Sequence, residues 1–128
     1  MASGTSSTQE QVRYFKFSEF DSPDAPGSGA RMDADFLAML DEARSIAGIP
    51  FHINSGYRTR VHNDRVGSKN SSHLRGLAAD IRCRNSSERF LIVAALIAAG
   101  FNRIGIAGSF IHVDNDSVKT PGVAWLYA

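Results

Sequence analysis

Four histidines occur in the 128 residues: His52, His62, His73 and His112. Two of them stand near carboxylates at spacings that could do chemistry. The run NSSHLRGLAAD, Asn70 to Asp80, holds His73 and, seven residues later, Asp80. Asp80 sits among small and apolar neighbours, where an ionised carboxylate is costly unless a charge or a metal meets it. Gly76 lies between the two and lets the chain turn tightly enough to bring His73 back over Asp80. Further on, FIHVD places His112 and Asp114 two residues apart in an apolar run. In a strand they share a face, opposite Ile111 and Val113. Two histidines and one carboxylate (His73, Asp80, His112) make a three-ligand set for a catalytic zinc, with a fourth position left for water. The same groups could instead form a buried polar network without metal. A non-haem iron oxygenase would run H-x-D followed by a distant histidine, but no histidine follows Asp114. No G-x-S-x-G elbow is present for a serine hydrolase. Asp64 and His62 are weaker candidates, in a stretch that reads as solvated loop.

These residues need elements to hold them. LAADIRC reads as a strand with Leu77, Ala79, Ile81 and Cys83 on one face and Ala78, Asp80 and Arg82 on the other. NRIGIAG and SFIHVDND read as two strands joined by a tight turn at Ala107-Gly108. GVAWLYA reads as a terminal strand, FHINSGYR as a strand feeding a turn, and VRYFKFSEF as a short strand or extended entry segment. MDADFLAMLDEARSIAGIP predicts a helix with Asp33 as N-cap and an apolar stripe of Phe36, Leu37, Leu40, Ala43 and Ala47. Gly48 and Pro50 stop it. NSSERFLIVAALIAAG predicts a second helix, capped by Ser86 or Ser87 and closed by Gly100. It is apolar nearly all round, so it is expected to be well buried. DSPDAPGSGARM reads as a loop. TRVHNDRVGSKNSSH reads as a loop with at most one helical turn. The connections between the last three strands are too short for parallel crossovers, so these strands are expected to pair antiparallel. The fold class is therefore α+β, a mainly antiparallel sheet with helices packed on one face.

Composition sets the outer bounds. The length suits one domain, placed at residues 13–128 after a polar tail over residues 1–12. Hydrophobic content of 43% and charged content of 21% fit an ordinary globular protein. The longest apolar run, FLIVAALIAAGF, is 12 residues, short of the roughly 18 a membrane span needs. No signal peptide is visible at the start. The single cysteine, Cys83, excludes an internal disulfide and reads as a half-buried strand thiol. Net charge is +1, but residues 58–89 hold 8 basic residues against 3 acidic ones. That basic middle is a solvated face or a site for an anionic ligand. Its cations are not interleaved with aromatics, so nucleic acid is not expected as a partner.

SGYR (Ser55 to Arg58), then S-x-H-x-x-G-x-A-x-D filled by Ser71, His73, Gly76, Ala78 and Asp80, then the IHVD run closing at Asp114, resembles the zinc D-Ala-D-Ala carboxypeptidase family of peptidoglycan peptidases. The branch it resembles is the small phage-type one, and the likeness runs from about Tyr14 to Tyr127. That family is grouped with lysostaphin-type enzymes and the hedgehog signalling domain, so the resemblance implies a hedgehog/DD-peptidase-like fold. It implies one Zn2+ ion held by His73, Asp80 and His112, with Arg58 reaching the substrate carbonyl and Ser71 helping to position substrate. It implies a peptidoglycan peptide as substrate, cut as a D,D-carboxypeptidase or an endopeptidase would cut it. It also implies a phage-encoded or virion-associated monomer acting at the bacterial cell wall or periplasm, with no nucleic acid or membrane partner. The chain departs from the family at the general base. Relatives carry Glu or Asp three residues before the last zinc histidine, where Ser109 stands here, or a histidine two residues before, where Phe110 stands. Asp114, on the right strand face, is the expected general base or water-orienting group; its other reading is to accept a hydrogen bond from a zinc histidine or from Arg58. An alternative of another class is a non-catalytic, zinc-containing module that binds cell wall or protein, as the hedgehog domain resembles the enzymes yet signals.

Overall fold

The computed structural model describes residues 12–127. The expected tail over residues 1–12 therefore lies outside the described residues, except for its last position. Val12 is buried in the core.

Five strands form one sheet: β1 (Ile53–Ser55), β2 (Ala78–Arg82), β3 (Arg103–Ile106), β4 (Phe110–Asp114) and β5 (Val123–Leu126). Their spatial order is β1-β2-β4-β3-β5. β1–β2, β2–β4 and β4–β3 pair antiparallel. β5 pairs parallel to β3, against the expectation that the last three strands all pair antiparallel. The physical reason is that β4 itself supplies the return. It runs back along β3, and the loop after it only has to step across the start of β3, so no helical crossover is needed.

Two helices cover one face. α1 (Ala34–Ala47) starts at Asp33, whose carboxylate accepts from the Phe36 N–H at 2.9 Å. It ends on Gly48 at φ 70°, a left-handed C-cap. α3 (Ser86–Ala98) is capped by Asn85 rather than Ser86 or Ser87, the Asn85 side chain accepting from Glu88 N–H at 2.9 Å. The core beneath them joins Phe36, Leu37, Leu40, Ile92 and Leu96 to Ala79, Ile81, Ile104, Ile111 and Val113 of the sheet. Strand alternation puts that apolar set on one face and leaves Asp80, His112 and Asp114 on the other. Cys83 is fully buried rather than half-buried. α3 is less buried than its composition suggests: Phe90 is 72% exposed and Ile97 58%. One stripe of this helix meets the core, and apolar content alone does not say how wide that stripe is.

The other departures are local. VRYFKFSEF forms no strand, the first of its two readings; it enters with Lys16 in extended backbone. Phe17–Phe20 is a single 3-10 turn that drops Phe15 and Phe20 into the core edge to face, ring centroids 5.3 Å apart. The supposed loop after SGYR contains α2 (Arg60–Val66), capped by Thr59 accepting from His62 N–H. It also contains a 3-10 turn at Ser72–Arg75, whose N-cap is Ser71. Both lie toward the polar side of the sheet. Short helices of one or two turns carry too little periodicity to be read from sequence. Among the described residues no helix is long and apolar enough to cross a membrane.

Candidate metal centre and active site

β2 and β4 set the floor of the site through their register. Asp80 pairs directly with His112, and Ala78 with Asp114. Side chains directly opposite on one face of an antiparallel pair are neighbours, so Asp80 and His112 meet: Nδ1 of His112 lies 2.9 Å from Oδ1 of Asp80. His73 arrives from the 3-10 turn. Gly76 closes that turn at φ 70°, and a Cβ there would fall 2.5 Å from the Arg31 carbonyl oxygen. Only glycine suits both the left-handed backbone and the close approach. Folded back in this way, His73 puts Nε2 3.3 Å from Oδ1 of Asp80.

Ligand atoms of His73, Asp80 and His112 all lie within 4.8 Å of one another, and all three residues are buried. Their outer contacts fix which nitrogens face inward. Nδ1 of His73 lies 2.8 Å from the Gly56 carbonyl oxygen. A carbonyl can only accept, so this nitrogen carries the proton and Nε2 presents its lone pair. His112 Nε2 lies 2.7 Å from Oδ2 of Asp114, which leaves Nδ1 on the inner side beside Asp80. Two inward imidazole nitrogens and one carboxylate oxygen, each histidine held from behind by an oxygen, is the donor set that suits zinc. Hydrogen bonds and charge from His112 and His73 outweigh burial and hold the Asp80 carboxyl far below the usual carboxylate range. Burial alone would lower the His112 pKa, but Asp114 and Asp80 reverse the sign and raise it.

The cleft over this group has a volume of about 360 Å³. Arg58 lines it and is tied on three sides. Nε donates to Ser55 Oγ at 3.0 Å, Nη1 to Asn63 Oδ1 at 3.2 Å and Nη2 to Asp80 Oδ2 at 3.3 Å. Each Nη carries a second N–H beyond these bonds. Asn63 is fully buried on α2, and its own amide donates to Ser68 O at 2.8 Å. A Cβ at Gly67 would lie 2.4 Å from Asn63 Oδ1, so the chain crosses this clamp where it has no side chain.

Asp114 is 1% exposed. Its Oδ2 faces His112, and its Oδ1 accepts from Arg103 Nε at 2.6 Å and from Asp116 N–H at 3.2 Å. Both oxygens are engaged, which suits Asp114 to fixing the His112 ring, the second of the two roles expected from sequence, better than to taking a proton from water. Ser71 lines the cleft, but its hydroxyl accepts from His73 N–H at 3.2 Å as the cap of the turn. Ser109, which stands where the resemblance implies a base in relatives, sits in the β3–β4 turn, where its carbonyl accepts from Cys83 N–H. The basic middle segment does not converge on the cleft. Of its arginines only Arg58 lines it, and the other cations there, Arg103 and Lys119, come from later in the chain. His62 and Asp64 do not line the cleft.

Sequence reasoning missed Asn63, Arg103, Trp125 and Tyr127. Only GVAWLYA carried a signal, since alternation places Trp125 and Tyr127 on one face of a strand. A family model described as Peptidase M15 matches residues 13–114. No curated protein matches the chain.

Proposed function

The chain belongs to the peptidase M15 family, and we propose that it is a zinc-dependent hydrolase of an amide bond in peptidoglycan stem peptides or their cross-links. The observation that carries this reading is the convergence of His73, Asp80 and His112 within 4.8 Å at the floor of a cleft that Arg58 also lines. When bound there, zinc supplies an activated water and polarises the scissile carbonyl. His73, Asp80 and His112 would hold it. The remaining Nη donors of Arg58 face the carbonyl oxygen as it gains charge, and fixed donors of this kind are worth most in a cleft that excludes water. Asp114 keeps the His112 proton on Nε2 and so keeps Nδ1 available as a ligand. We read residues 13–128 as one such domain, working as a monomer with one Zn2+ at the bacterial cell wall or periplasm, phage-encoded or virion-associated, with no nucleic acid or membrane partner.

One observation favours a second reading. The carboxylates lining the cleft, Asp80 and Asp114, both have partners, so among the described residues no free carboxylate stands ready as base. A zinc-containing module that binds cell wall without cutting it fits that feature. Mass spectrometry of peptidoglycan digested with the zinc-loaded protein separates the two and names the bond. New peptide termini that disappear with His73→Ala support hydrolysis. Protein that sediments with peptidoglycan and releases nothing supports the binding module.

A further inference from the structure

We propose that Tyr127 is a catalytic hydrogen-bond donor whose phenolic O–H meets the scissile carbonyl oxygen from the side of the cleft opposite Arg58. This rests on the hydrolase reading above.

The register across the sheet places it. Asp80 pairs with His112, His112 with Gly105, and Gly105 with Trp125, so one row crosses four strands on the polar face. Tyr127 follows two residues after Trp125, on the same side, and its N–H continues the ladder to Ile106 O at 3.0 Å. The missing side chain in that row is filled by rings: a Cβ at Gly105 would lie 2.7 Å from both Trp125 and Tyr127. Trp125 leans onto His112, ring centroids 5.6 Å apart, with the Arg103 guanidinium 5.0 Å from its own centroid. Tyr127 packs against Phe110 at 5.3 Å and Trp125 at 6.3 Å. Its ring is thus held from several sides, yet the residue is 42% exposed and lines the same cleft as Arg58, His73, Asp80 and His112.

A phenolic O–H can donate one hydrogen bond, and the residue that carries it lines the cleft beside the metal-binding group. The charges it senses are Asp80, Asp114 and Arg58, the groups around the expected position of the carbonyl. Burial raises its pKa, so the phenol stays protonated at neutral pH. Arg58 enters from the β1 edge of the sheet and Tyr127 from the β5 edge, so the two donors bracket the metal ligands of the central strands.

The test is Tyr127→Phe, which keeps the ring against Phe110 and Trp125 and removes only the oxygen. Zinc content and melting temperature should match wild type. The kcat on a stem-peptide substrate should fall about 10²–10³-fold, the usual loss for one oxyanion donor, with KM little changed. A phosphinic dipeptide, which mimics the tetrahedral intermediate, should bind weaker by a similar factor. Wild-type kcat and inhibitor affinity in an active enzyme would overturn this inference alone. A wild-type chain that binds zinc and cleaves nothing would overturn the hydrolase reading and this inference with it.

Discussion

At the scale of single residues, the two groups that decide how the site works are Asp114 and Arg58. The sequence put Asp114 on the right face and offered it two roles but could not choose between them, because Arg103 reaches it from another strand. If Asp114 fixes His112, Asp114→Asn should weaken zinc binding about 10–100-fold, the usual cost of losing a partner behind a ligating histidine. Competition with a chromogenic chelator measures this. Full zinc affinity combined with a collapse of kcat would return Asp114 to the role of base. Arg58 was legible from SGYR, whereas its buried partner Asn63 lay in a short helix that had no pattern to show it. Asn63→Leu leaves an Arg58 N–H without its acceptor and should lower stability by about 1–3 kcal/mol, read by urea unfolding.

At the scale of elements, the 3-10 turn that carries His73 is anchored at both ends. Gly76 docks it under α1, where its carbonyl accepts from Asp33 N–H at 3.0 Å. Asp116 ties it to the β4–β5 loop, accepting from Ser72 Oγ at 2.7 Å and from Arg75. The glycine was legible as a fold-back point, while the Asp116 tie spans more than 40 residues and was not. Gly76→Ala should cost at least about 1 kcal/mol, since both φ and the neighbouring backbone resist a Cβ, and zinc retention should fall with it. For Asp116, burial pushes the pKa up, but Arg75 and Ser72 outweigh it and the carboxyl sits below its ordinary value. A depressed folded pKa means the contribution is present above the ordinary carboxyl value of about 4 and is lost as pH falls. The stability difference between wild type and Asp116→Asn should therefore shrink from pH 6 to pH 3, as followed by thermal unfolding across that range. The parallel pairing of β5 was missed for a similar reason. The chain shows short connections, but not which strand end they step across.

At the scale of the whole molecule, strand alternation divides the work: one face is core and the other is site. That division was legible in LAADIRC and FIHVD, which put Asp80, His112 and Asp114 on the site face, whereas His73 was legible only through the Gly76 fold-back and the α+β class through the order and short connections of the elements. The depth of burial was not legible, because α3 is apolar on sides that no other element covers. Ile92→Ala should cost about 2–5 kcal/mol, while Phe90→Ser on the same helix should stay within about 0.5 kcal/mol. The central claim joins the two faces: we propose that the fold holds one zinc over a peptide bond. Its most direct test is release of new amino groups from purified peptidoglycan, followed as zinc is titrated into chelator-stripped protein. The account predicts hydrolysis that rises to a plateau at one zinc per chain and is absent in His73→Ala. Hydrolysis by the stripped protein, or by His73→Ala at the wild-type rate, would contradict it.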